Sequence, residues 1–117
     1  MSSPVVIDPD AIANLRELNP DDGGEFLREI LGIFLEDTPK RLAELDASLA
    51  AGDAPKFSRA AHSIKGSSGN LGALALREVA GQLEQRSQQA GLGDVAGLVA
   101  SLKVEYVRAE SELKKLL

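Results

Sequence analysis

The chain has 117 residues, the size of one ordinary domain, and is 44% hydrophobic and 26% charged, which excludes a disordered chain and allows one real core. Its net charge of -5 argues against nucleic acid as a partner, and the absence of cysteine removes disulfides, thiolate chemistry and cysteine-ligated zinc. Aromatics are only 3%, so the core must be aliphatic, and the apolar runs are too short for membrane insertion.

Residues 1–7 are expected to be a flexible lead-in, with one helical bundle domain over residues 8–117. The opening MSSPVVIDPD has neither a basic start nor a long apolar stretch, so it does not read as a secretory signal. Asp8-Pro9-Asp10 offers a helix start, with Asp8 as N-cap and Pro9 at the first helical position. A short helix carrying Ile12, Leu15 and Leu18 follows and should stop at Asn19-Pro20. Asp21-Asp22-Gly23-Gly24 makes a turn and a second cap. From there Leu27, Ile30, Leu31, Phe34, Arg41/Leu42, Leu45 and Leu49 recur at helical spacing. The stripe keeps its phase across Pro39, which predicts one long helix over about 24–51, kinked at the proline. The alternative is a break there, with Thr38 as a new N-cap.

Gly52 and Asp53 supply a C-terminal cap and the next N-cap. The next helix buries Phe57, Ala60/Ala61, Ile64, Ser68 and Leu71 and ends at Gly72. Another carries Leu76, Val79/Ala80, Leu83 and Ala90 as far as Gly91-Leu92-Gly93. The last begins at Asp94 and carries Val95, Leu98/Val99, Leu102, Tyr106, Ala109, Leu113 and Leu116. No segment alternates like a strand. The fold class is therefore all-α: an antiparallel four-helix bundle with a short additional N-terminal helix.

The chain has a single histidine, in the stretch AHSIKGSSGNLGA (61–73). His62 lies off the buried face of its helix, with Lys65 and Gly66 a turn ahead and Arg59 a turn behind. An exposed neutral imidazole is a good nucleophile near neutral pH. A neighbouring ammonium can stabilise the charge on a transferred phosphoryl group, and a glycine clears room for a second protein to approach. Gly66 and Gly69 each cost about 1 kcal/mol of helix propensity relative to alanine, so a purely structural helix has little reason to keep both. There is no G-x-x-x-x-G-K-[ST] loop, and one histidine cannot build a two-histidine metal site.

This stretch resembles the signature of histidine-containing phosphotransfer (HPt) domains: histidine, two residues, lysine, glycine, then small residues, a leucine and a glycine. The resemblance extends to FLEDTPKRLAEL (34–45), AAGD (50–53) and Leu83-Glu84, and covers nearly the whole chain. It implies a phosphorelay intermediary in which His62 accepts a phosphoryl group from the aspartyl phosphate of a response-regulator receiver and passes it to another receiver. It implies no kinase activity or ATP site of the chain's own, and no cofactor, with Mg²⁺ held by the partner receiver. The expected partners are receiver domains and a hybrid sensor histidine kinase; the expected setting is cytoplasmic, as a monomer. The initial methionine favours a free-standing protein over a domain excised from such a kinase.

The family also places a carboxylate or amide of the following helix near the imidazole. The matching position is Glu84, with Gln88 one turn on; a carboxylate accepting from Nδ1–H would leave Nε2 as nucleophile. The alternative is that Glu84 is merely solvated. Some members carry a second cation where this chain has Gln88, and Arg59 is the candidate substitute. Apolar docking residues are expected on helix surfaces flanking His62, including Ile12 and Leu15. The competing reading is a non-catalytic HPt-like interaction module.

Overall fold

The computed structural model describes residues 5–117. They form five α-helices and no strand: α1 (Pro9–Leu18), α2 (Glu25–Ala51), α3 (Ala54–Asn70), α4 (Leu74–Gln89) and α5 (Ala96–Lys114). Helices α2 to α5 run up and down as the antiparallel bundle, and α1 packs beside α2 at one end. The most extensive interface joins α3 to α4, and α2 covers the other flank of α3.

The caps act as local chemistry dictates. Asp8 accepts from the Asp10 N–H at 3.0 Å, with Pro9 in the first turn of α1. Asp22 accepts from the N–H groups of Gly24 and Phe26, at 2.9 Å each, so the start of α2 is tied by a carboxylate placed ahead of it. Asp53 accepts from Lys56 N–H at 3.1 Å, directly after Gly52 ends α2 at a positive φ of 69°. Asp94 does not start α5. Its carboxylate is drawn 2.8 Å from Arg86 at the end of α4, and α5 begins at Ala96.

Helix α2 runs unbroken through Pro39, and Thr38 is buried within it rather than capping a new helix. A proline has no N–H for the carbonyl four residues back, here Leu35. The Tyr106 hydroxyl of α5 donates to that carbonyl at 3.4 Å. Burial of Leu27, Leu31, Phe34 and Leu45 follows the expected stripe. Arg41 is only half-buried, and it pairs with Asp37 and Glu44 on its own helix instead of joining the core.

The α3–α4 turn is also the seat of the N-terminal segment. Of the expected lead-in, residues 1–4 lie outside the described residues. Val6 and Ile7 pack against the core, the Val5 carbonyl accepts from Ala75 N–H at 3.0 Å, and Asp8 N–H donates to the Gly72 carbonyl at 2.8 Å. Gly72 has φ +72°, and a Cβ on it would lie 2.5 Å from Ala11 Cβ and 3.0 Å from Asp8 Cβ. Gly72→Ala therefore meets both backbone strain and α1 itself. It should destabilise the fold by about 3 kcal/mol, read as a lowered urea midpoint with an unchanged slope.

Candidate functional site

The α3 helix turns Phe57, Ala60, Ala61, Ile64 and Ser68 into the bundle, and this fixes where His62 points. Its side chain is 67% exposed. Nδ1 lies 2.7 Å from Glu84 Oε2, reaching across the seam to α4. The second oxygen of the same carboxylate, Oε1, lies 2.7 Å from Lys65 Nζ. One largely covered carboxylate thus holds both the imidazole and the ammonium.

The hydrogen bond from Lys65 holds the Glu84 carboxyl below the usual carboxylate range; partial burial opposes this, and the bond from His62 adds to it. Glu84 is then an ionised, acceptor-only group, so the shared hydrogen is on Nδ1 of His62. In the neutral ring this leaves the lone pair on Nε2, which has no partner among the described residues. The expected role of Glu84 as the group beside the imidazole has its geometry here, and a merely solvated Glu84 does not.

The remaining expected residues divide. Gly66 is exposed, and a Cβ on it would meet nothing within 4 Å, so no packing contact accounts for the glycine. Arg59 is exposed one turn before His62, with no ion-pair partner among the described residues. Gln88 is not brought to the ring; its Nε2 donates to Ser58 Oγ at 3.0 Å, one turn further along the seam. Gly69 lies under the side chain of Arg77 from α4.

Two features went unseen in the sequence. Gly81 of α4 makes room for the Lys65 stem, whose Cδ would lie 3.4 Å from a Cβ there. Its signal was the antiparallel register: Gly81 precedes Glu84 by the three residues that separate Lys65 from His62. The second concerns the apolar flank. Ile12 is only 5% exposed, because the apolar side of α1 is spent sealing the core, and Leu15 packs against the same core. The apolar surface beside the site comes instead from α2. Ile33 is 62% exposed and lines, with Ile30, Ser67 and Asn70, a shallow groove between α2 and α3.

Comparison with known proteins places this geometry. The Hpt domain family model matches residues 29–116. The fold superposes on the crystal structure of histidine-containing phosphotransfer protein B from Pseudomonas aeruginosa PAO1 with a TM-score of 0.86 and 32% identity, covering 97% of this chain and 95% of that one. Multistep phosphorelay regulator 1 of Schizosaccharomyces pombe is 33% identical over 79 residues, which is 68% of this chain and 27% of that protein. The sensor protein TorS of Escherichia coli is 33% identical over 89 residues, or 74% of this chain and 10% of that protein. The chain thus spans only a minor part of these two relatives. A bundle of this order, an exposed histidine on its third helix and these matches lead to one conclusion: the chain belongs to the Hpt domain family.

Proposed function

We propose that His62 is the phosphoryl carrier, exchanging phosphate with the aspartate of receiver domains. The observation that carries this reading is the shared Glu84 carboxylate, at 2.7 Å from both His62 Nδ1 and Lys65 Nζ. The Nε2 lone pair attacks phosphorus as the bond to the aspartyl oxygen breaks, and the aspartate leaves as a carboxylate. Because Nδ1 keeps its proton, the ring becomes positively charged, and Glu84 stands against that charge. Lys65 supplies the cation for the phosphoryl oxygens, and the open space above Gly66 admits the partner. Arg59 is a second cation within a turn of His62, with no ion-pair partner among the described residues. The groove beside Ile33 offers the receiver an apolar foothold.

In this reading the chain has no ATP site of its own, the Mg²⁺ used in transfer belongs to the receiver, and a monomer suffices. A receiver or a hybrid sensor kinase is the partner, in the cytoplasm; no helix of the described residues is long and apolar enough to cross a membrane. The test is to mix the chain with a receiver charged by acetyl phosphate. The reading expects an acid-labile, alkali-stable phosphate on this chain, and a receiver panel that leaves the wild-type chain unlabelled overturns it.

The Glu84 assignment has its own check. Glu84→Gln keeps an acceptor for Nδ1–H but loses the charge, so transfer should slow about tenfold. A carboxylate with a depressed folded pKa adds stability above its unfolded value and loses it as pH falls through the folded one. The stability margin of wild type over Glu84→Gln, measured by urea midpoints, should shrink as pH drops below the ordinary value of 4.5 and be lost as pH falls through the depressed folded value.

A further inference from the structure

Gly69 is the glycine of the His62 stretch that the transfer chemistry leaves unused. A Cβ built on it would lie 3.4 Å from Arg77 Cδ and 3.6 Å from Arg77 Nε. Arg77 is rooted on α4, so its stem crosses the seam and rests on α3. Lys65 crosses the same seam the other way, over Gly81. The two crossings end differently. Lys65 is held by Glu84 at 2.7 Å. Arg77 is exposed and has neither an ion-pair partner nor a side-chain hydrogen bond among the described residues.

A long side chain laid on a helix glycine has part of its freedom removed, and the helix bears the cost of the glycine. Here the result is a guanidinium whose stem is seated against α3 and whose head has no acid to meet among the described residues, in a chain of net charge -5. Its place narrows what it can meet. Gly69 lies two turns beyond His62, roughly 10 Å along the helix axis. A group resting there is not beside a phosphoryl on Nε2. A partner covering His62 with an ordinary contact patch of roughly 800 Å² extends well past that distance. The planar fork of arginine matches a carboxylate with two parallel hydrogen bonds, which a lysine cannot do.

Resting on the phosphotransfer reading, we propose that Arg77, seated on Gly69, is a docking and specificity residue that takes a carboxylate at the edge of the receiver's approaching face. Receivers bearing an acid there are steered to His62, and receivers bearing a cation are turned away.

The test uses steady-state transfer from a receiver charged with acetyl phosphate, at low and high salt. Arg77→Glu should raise KM about tenfold and flatten the salt dependence, with kcat and the spontaneous hydrolysis of phosphohistidine unchanged. Arg77→Lys should fall between, keeping the charge and losing the fork. Gly69→Leu, which displaces the stem but keeps the charge, should raise KM without touching hydrolysis. Circular dichroism melts confirm that each variant is folded. KM and salt dependence within about twofold of wild type in Arg77→Glu would overturn the proposal. So would faster phosphohistidine hydrolysis at unchanged KM, which would give Arg77 to the phosphoryl group instead. Failure of the phosphotransfer reading is a separate result: the wild-type chain then takes no label.

Discussion

His62→Gln is expected to reduce phosphoryl transfer to background, a loss on the order of a thousandfold or more, because the amide has no nucleophilic lone pair to replace Nε2. The same change should move stability by no more than about 0.5 kcal/mol. The side chain is 67% exposed, and a glutamine amide can still donate to Glu84 Oε2. The pairing of these two outcomes makes the variant informative. A non-catalytic docking module would bind its receiver with or without the histidine and carry no phosphate in either form. Transfer that persists in the variant would remove His62 from the chemistry altogether. The measurements are receiver-dependent labelling and a urea titration of the same preparations.

Gly66→Gln should separate function from stability in the opposite sense. No atom lies within 4 Å of a Cβ at this position, so the new side chain extends into solvent. Replacing a helix-interior glycine should raise stability by about 0.5–1 kcal/mol. Yet the phosphorus must come within about 3–3.5 Å of Nε2 for attack, and a displacement of about 1 Å can cost a hundredfold. A glutamine one turn from the imidazole stands where the partner must land, so transfer should fall by about a hundredfold or more. A variant that melts higher and transfers normally would show that the clearance above Gly66 is not used. A variant that unfolds would contradict the open space that surrounds it.

How much of this was visible in the sequence depends on the range of each interaction. Caps act within a turn, so Asp8, Asp53 and Gly52 were legible from neighbouring residues. The burial of Phe57, Ala61, Ile64 and Ser68 follows from helical period alone, and with it the outward aim of His62. The placement of Glu84 came from family resemblance, not from periodicity. The start of α5 was misplaced because Asp94 has two uses, capping its own helix or pairing with Arg86 of the one before, and only the fold chooses. Ile12 was expected at a surface because a short amphipathic helix does not announce what its apolar side will cover.

The α3–α4 register shows what remained hidden. Three residues on from His62 is Lys65, and three back from Glu84 is Gly81. Seven on is Gly69, and seven back is Arg77. Four back is Ser58, and four on is Gln88. Ser58 and Gln88 are hydrogen-bonded across the seam, and in the other two pairs the long side chain lies where a Cβ on the facing glycine would touch it. A single correct pairing therefore determines the others, but periodicity on either helix cannot supply the first. That is why Gly69 looked like a defect in α3 when its reason sits on α4.

The proline of α2 has a consequence for how the bundle can be watched. The chain contains one tyrosine and no tryptophan, and that tyrosine is the residue whose hydroxyl meets the carbonyl released by Pro39. Burial, aided by Glu110, pushes the Tyr106 phenol up to about 12. In alkali the unfolded chain ionises first, so the native state loses stability as pH rises above 10, the ordinary tyrosine value. The tyrosine-type ultraviolet band of the folded protein thus comes from one ring at the α2–α5 seam, and tyrosinate absorbance in mild alkali reports the opening of that seam. A proline inside α2 has left the molecule a built-in optical gauge, placed on the side of the bundle away from the histidine's α3–α4 seam.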